Sequence, residues 1–347
     1  MIVIDGKEAG GQILRTSLGL SAITGEPIKV INIRSSRKGG IGLKTQHLEG
    51  VLAVAQLCNA EVKGVALGST EIEFIPKKLE NKELNIRIST AGSIGLLYQS
   101  LQIPSAFTSD MVRIHVIGGS VASLWSPTIE YVQNVFLPIV RKMGYNAEIK
   151  VIKHGFYPKG GAEVEIVVHP IKRLNSIELT NPGKVKKINI ISIAGSLPGH
   201  VAIRQAESAK KYLEERNFKD IEIKSETVET YSPGTSITLW AETENSVLGS
   251  DNLGKKGIRA EDIGREAAQA LIKSIESNAA LDKFMADQVI PFLALAHGES
   301  EIKVEEITEH VRTNIKVTEL MLGVKFNVDE KSRIIKVKGI GFTNPEF

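Results

Sequence analysis

Seven histidines are spread along the chain, and one of them, His310, has a setting suited to nucleophilic chemistry. It follows Thr308 by two residues, and a threonine is a good helix N-cap, so His310 falls in the first turn of a helix. The positive end of a helix disfavours an imidazolium. A ring that starts near pKa ~6.5 therefore stays neutral and nucleophilic at neutral pH. His115 and His169 lie in strand patterns and His200 and His297 at turns, where no role is expected. Around His310 the residues ITEHVRTN follow FMADQ by some twenty positions.

Three other segments stand out, two of them with the composition of anion sites. EAGGQILR sets Glu8 before Gly10 and Gly11, with Gln12 and Arg15 opening a helix. A glycine loop running into a helix N-terminus presents backbone N–H groups to an anion, and Glu8 could hold a metal beside phosphates. RSSRKGGIGLK places Arg34, Arg37, Lys38 and Lys44 within eleven positions with no acid among them, and leads into Gln46 and His47. Its glycines allow backbone to approach a ligand closely, which distinguishes it from a merely solvated basic loop. HGFYPKGG, from His154 to Gly161, is a turn whose proline and glycines can be purely structural.

Familiar nucleotide signatures are missing. GSDNLGKK, Gly249 to Lys256, approximates a phosphate loop but carries Lys256 where a hydroxyl should meet Mg²⁺. GGIGLK and GIGFTN are not dinucleotide fingerprints, and no histidine–cysteine cluster has zinc spacing. If ATP is used, it is held in another way.

These segments must be positioned by a chain of 347 residues that is 42% hydrophobic and 24% charged, which implies a large core and as a prior two domains. A net charge of +3 argues against wholesale coating of nucleic acid, though not against a local anion site. The single cysteine, Cys58, excludes a disulfide framework and reads as packed. No apolar run reaches the ~18 residues of a membrane span, and MIVIDGKEAGG lacks a leader pattern, so the expected location is cytoplasmic.

Helical and strand periodicities recur three times as an apolar helix, a strand, a second helix and a strand pair. QILRTSLGLSAITG opens the first, SIGLLYQSLQIPSAFT the second and KFMADQVIPFLALAHG the third. Each unit reads as β-α-β-α-β-β and could not bury both helix faces alone. Residues 184–275 break the period with strands KKINIISIAG, DIEIKSETVE and TSITLWAETE and two helices. The expected fold class is α+β: a large domain of three such repeats from 1–183 and 276–347, with a small α+β domain inserted at 184–275.

Taken together, EAGGQILR, IRSSRKGGIGLKTQHL, STAGSIGLLYQ, HGFYPKGG and ADQ…TEHVRTNI resemble, in order, the motifs of the RNA 3'-terminal phosphate cyclase family, in an archaeal, thermophile-like form. The resemblance covers nearly the whole chain. It implies the same repeat fold with its insertion, and an ATP-dependent ligase that closes an RNA 3'-phosphate into a 2',3'-cyclic phosphate. It implies that His310 becomes joined to AMP. Glu8, Arg15, Gln99, Phe284, Met285, Ala286, Asp287 and Gln288 are implied near the nucleotide, with a divalent metal, Mg²⁺ or Mn²⁺, at Glu8. Arg34, Arg37 and His47 are implied as the group that handles the RNA phosphate. Ala9 and Ala162 stand where the family usually has a third glycine, and GGSVASLWSP lacks the usual polar residue after GG. If position 162 requires a positive φ, alanine strains it. Two rivals share the architecture: a non-catalytic relative acting in ribosome assembly, which typically lacks the histidine, and an enolpyruvyl transferase. Oligomeric state is left open.

Overall fold

The computed structural model describes residues 1–8, 10–36, 40–80 and 82–347 and is α+β, with four four-stranded sheets. The first sheet holds β1 (Ile2–Asp5), β2 (Ile28–Ile31), β3 (Glu61–Lys63) and β4 (Ile72–Ile75) in the order β1-β2-β4-β3. Helix α1 (Gln12–Thr24) crosses between the parallel pair β1 and β2, and α2 (Thr45–Leu57) leads to β3. The second sheet orders β5 (Glu83–Ser93), β6 (Val112–Ser120), β7 (Asn146–Lys153) and β8 (Glu163–His169) as β5-β6-β8-β7. Helix α3 (Ile94–Ala106) joins its first two strands. A helical stretch follows β6, made of α4 (Ile129–Tyr131), a π-helical segment (Val132–Phe136) and α5 (Leu137–Arg141).

The short strand β9 (Glu178–Leu179) pairs in parallel with a strand more than a hundred residues later. Between the two lie β10 (Val185–Gly195), α6 (His200–Glu214), β11 (Ile221–Val228), β12 (Gly234–Thr243), β13 (Val247–Leu253) and α7 (Ala260–Glu276). These strands form their own sheet, in the order β11-β10-β12-β13. The chain then returns through α8 (Lys283–Leu295), β14 (Glu299–Lys303), α9 (Glu309–Leu322), β15 (Phe326–Asp329) and β16 (Ile334–Lys338). The fourth sheet reads β9-β14-β16-β15, so it repeats the first-second-fourth-third order of the first two.

One hydrophobic cluster runs from Ile4 to Leu179 and resumes from Ala280 to Val337. A second comprises residues from Ile188 to Ile272, under α6 and α7. A small third cluster of Ala122, Phe156 and Ile193 lies where the two meet. No helix among the described residues is long and apolar enough to cross a membrane. Helix α1 ends on Gly25 at φ +75°, and α9 is bounded by Thr308, whose hydroxyl accepts the Val311 N–H, and by Gly323 at φ +69°. Helix α8 starts on Asp282, whose buried carboxylate accepts from the Phe284 and Met285 amides and the Tyr131 hydroxyl.

HGFYPKGG acquires a structural explanation. Phe156 is buried and seats against two glycines at the ends of β10 and β12. A Cβ at Gly195 would stand 2.6 Å from the ring, and one at Gly234 2.5 Å. Ala162 is buried and is not among the described residues with positive φ, so alanine is unstrained there. Ala9 lies outside the described residues. GSDNLGKK is no phosphate loop: Gly249 sits inside β13, with its Cα pressed toward Val135 and Tyr131.

Gly234→Val should therefore lower stability by roughly 1–3 kcal/mol through overpacking. Phe156→Ala in the same chain should recover part of that loss, measured by thermal or urea unfolding. Strictly additive losses in the double variant would mean that the ring is not what the glycine accommodates.

Candidate active site

The helix layer of α1, α8 and α9 gathers side chains from the two ends of the chain. Gln12 opens α1, Asp287 lies one turn into α8 and His310 occupies the first turn of α9. Gln12 donates from Nε2 to the Asp287 carboxylate, and its Oε1 faces His310 Nδ1 across a close hydrogen bond. Asn314, one turn on from His310, donates to the Asp287 carbonyl at 2.7 Å and accepts from the Thr16 hydroxyl at 2.8 Å.

This chain of contacts fixes the histidine's tautomer. While Asp287 is ionised its carboxylate only accepts, so the Gln12 amide turns its NH₂ toward it. Its carbonyl oxygen is then left for His310, and an oxygen requires a proton on Nδ1. The lone pair then sits on Nε2. Burial pushes the Asp287 carboxyl from its ordinary 3.8 up to about 7, held back by the Arg15 charge and the Gln12 hydrogen bond.

Arg15 is oriented by a second run of amides. Its Nε donates to Gln99 Oε1 at 2.9 Å, Gln99 Nε2 donates to Gln288 Oε1 at 3.1 Å, and Gln288 Nε2 donates to the Phe284 carbonyl at 2.8 Å. Gln12, Arg15, Gln99, Phe284, Asp287, Gln288 and His310 all line one cavity of about 530 Å³. That is an ordinary size for a small-molecule ligand. Met285 and Ala286, expected near the nucleotide, are fully buried in the packing of α8 and do not line the cavity.

A second cleft of about 970 Å³ is lined by Arg34, Lys44, Gln46 and His47. The two clefts share Ser123, Leu124, Trp125, Leu253 and Lys255 on their common rim. They also meet at Gly11, where a Cβ would overlap the His47 ring and lie 2.9 Å from the Arg15 guanidinium. The glycine is thus needed so that His47 and Arg15 can close on the loop. Arg34 has a left-handed backbone at φ +57° and donates to the Gly42 carbonyl at 3.2 Å. Arg37 lies outside the described residues.

His47 is buried, and its Nδ1 accepts the Lys44 amide at 3.3 Å. Burial, and then the charges of Arg15, Arg34 and Lys44, press its pKa down to about 3. It is therefore a neutral ring with its proton on Nε2, a hydrogen-bond donor rather than a cation. Glu8 stands apart: it is exposed, pairs with Lys316 at 3.6 Å and opens on a separate groove of about 280 Å³. Among the described residues no group of three or more His, Cys, Asp or Glu is placed to hold a metal ion.

The family model for the RNA 3'-terminal phosphate cyclase matches residues 6–328. The chain belongs to that family. A protein of Pyrococcus furiosus named RNA 3'-terminal phosphate cyclase is 47% identical over 347 residues, covering 97% of this chain and 99% of the other. One of Pyrococcus abyssi is 46% identical over 95% of both chains, and one of Pyrobaculum aerophilum 41% over 98% of both. The solved structure of the enolpyruvyl transferase NikO from Streptomyces tendae, 9% identical, aligns over 98% of this chain and 82% of its own with a TM-score of 0.22, too low to inform the fold.

Sequence reasoning placed Gln12 only at a helix opening and did not assign it to the cyclase site; nothing in EAGGQ shows which way an amide points. Asn314, Trp125 and Lys255 were missed as well. The Asp287 carboxyl yields a pH prediction. Its folded pKa lies above its unfolded one, so its stabilising contribution is complete below the ordinary carboxylate range and is lost as pH rises through about 7. Asp287→Asn should thus become progressively more favourable relative to wild type between about pH 4 and about pH 8 in urea titrations. A pH-independent difference would show that the carboxyl ionises as readily in the folded protein as in the unfolded chain.

Proposed function

We propose that this protein uses ATP to convert the 3'-terminal phosphate of an RNA into a 2',3'-cyclic phosphodiester through an AMP carried on His310. The observation that carries the reading is the Gln12–His310 contact, which places the ring's lone pair on Nε2 at the wall of a nucleotide-sized cavity. In the first step Nε2 attacks the α-phosphorus of ATP; a P–N bond forms, the bond to pyrophosphate breaks and pyrophosphate leaves. The imidazolium-like charge that develops is shared through Nδ1–H to Gln12 and Asp287. Arg15, held by Gln99 and Gln288, supplies a fixed cation to the phosphates. Phe284, 44% exposed, offers its ring to the base.

In the second step an oxygen of the RNA 3'-phosphate attacks the same phosphorus, the P–N bond breaks and His310 is restored. Arg34 and the His47 Nε2–H would hold the remaining oxygens of that phosphate, with Arg37 of the same loop proposed as a third donor. In the third step the neighbouring 2'-oxygen attacks the 3'-phosphorus, loses its proton and expels AMP. Nucleophile and electrophile share one ribose, so proximity carries much of this step. A divalent cation accompanying ATP belongs to the proposal and would neutralise charge on the departing pyrophosphate; Glu8, which opens on the separate groove and pairs with Lys316, is not assigned to hold it.

The proposal also reads the first, second and fourth sheets with their helices as three β-α-β-α-β-β repeats and residues 184–275 as an inserted domain. The separate hydrophobic clusters and the shared strand order support it. Its setting is the cytoplasm, where an ATP-using RNA enzyme finds both reactants.

An RNA ending in a 2'-deoxy-3'-phosphate tests the order of steps. Charging needs only ATP and its metal, and transfer needs only phosphate oxygens, so both proceed; ring closure cannot. A species heavier than the RNA by one AMP should accumulate in mass spectra. An unmodified deoxy end beside a charged His310 would contradict transfer to the phosphate.

A further inference from the structure

Trp125 is 94% exposed, although tryptophan is among the costliest side chains to leave in water. Its backbone is left-handed, at φ +62°. Four of the eight described non-glycine residues with positive φ are asparagines, the type that tolerates this region. Arg34 and Trp125 are two of the exceptions, and both line the larger cleft. A bulky residue held in a rarely occupied conformation with its ring in solvent points to a use for the ring.

The position of that ring defines the use. Trp125 lies on the rim common to the His310 cavity and the Arg34 cleft. A phosphate that reacts at His310 while held by Arg34 has to sit at this junction, and the base on the same ribose is then next to the rim. The surrounding cleft carries Lys44 and Lys255, which suit a phosphodiester chain, and Tyr157, 77% exposed, offers another ring along it. Rings interleaved with cations are how proteins hold single-stranded nucleic acid, because every base has a face to stack. The His310 cavity already has Phe284 for an adenine, so a second ring on the far rim is better matched to the other substrate.

We infer that the Trp125 indole is the stacking platform for the base of the RNA's 3'-terminal nucleotide, which aligns the ribose so that its phosphate reaches His310. The inference rests on the function proposed above. It makes the site sensitive to the presence of a terminal base but tolerant of which base it is, since stacking reads no hydrogen-bonding edge.

The test compares 3'-phosphorylated oligoribonucleotides that end in a normal nucleotide or in an abasic ribose. Wild type should show a KM roughly ten- to hundredfold higher for the abasic end, the range expected for one lost stack. Trp125→Ala should raise KM for the normal end by a similar factor and abolish the discrimination, while Trp125→Phe retains most of it. The chain has two tryptophans, Trp125 and Trp240. In a Trp240→Phe background, the normal end should quench the remaining indole fluorescence and the abasic end should not. An abasic penalty that persists in Trp125→Ala would overturn the inference. So would quenching by ATP alone with a raised KM for ATP, which would assign the ring to adenine. Equal use of both ends by an active wild type defeats this inference but not the proposed function; no reaction with any 3'-phosphorylated RNA defeats both.

Discussion

The site depends on one part-buried line of polar contacts, from Asp287 through Gln12 to His310 at the surface end. Its members are 275 and 298 residues apart in sequence, so it forms only when the first helix of the chain packs against the last two. At its inner end such a line is costly to break, because the Gln12 amide is buried and would be left with unpaired polar atoms there. The Thr16–Asn314–Asp287 contacts run beside it and tie the same three helices together. Capping by Thr308 and Asp282 sets where α9 and α8 begin, and hence where His310 and Asp287 point. The orientation of His310 is thus set by helix packing.

The second constraint is electrostatic. A chain whose net charge is only +3 gathers Arg15, Arg34 and Lys44 around one buried ring. Their combined field, added to burial, keeps His47 neutral and turns it into a directional donor. Positive charge in this region comes from Arg15, Arg34 and Lys44, while His47 contributes a directional N–H. The unit formed by β10 to β13 completes the clefts: Phe156 docks it on its two glycines, and Leu253 and Lys255 then reach both cavities.

Much of this was legible in the sequence. The α+β class followed from periodicities, and His310 could be found because a helix cap leaves a local signature, Thr308 two residues earlier. The glycines of EAGGQ read as a loop opening a helix, and Gly11 proves to admit His47 and Arg15. What remained hidden was everything set by orientation. An amide's facing, as in Gln12, depends on partners hundreds of residues away. HGFYPKGG read as a turn that could be purely structural, but nothing in its composition shows that Phe156 fills a socket of two glycines on distant strands. Met285 and Ala286 share a motif with Phe284 and Gln288, yet a helix turns by about 100° per residue and sends neighbours to different faces. Glu8 sits one loop from the cavity, and its short distance in sequence from Gln12 did not reveal that it opens on another groove.

The central claim is that His310 accepts AMP on Nε2 because Gln12 holds the proton on Nδ1. Incubating the protein with α-labelled ATP, and mapping the label by peptide mass spectrometry and phosphorus NMR, tests it directly. The account requires AMP on the Nε2 atom of His310 in wild type and none in His310→Ala. In Gln12→Ala, which removes the contact to Nδ1, labelling should be much slower at unchanged fold. Label on another residue, on Nδ1, or at full rate in Gln12→Ala would contradict it.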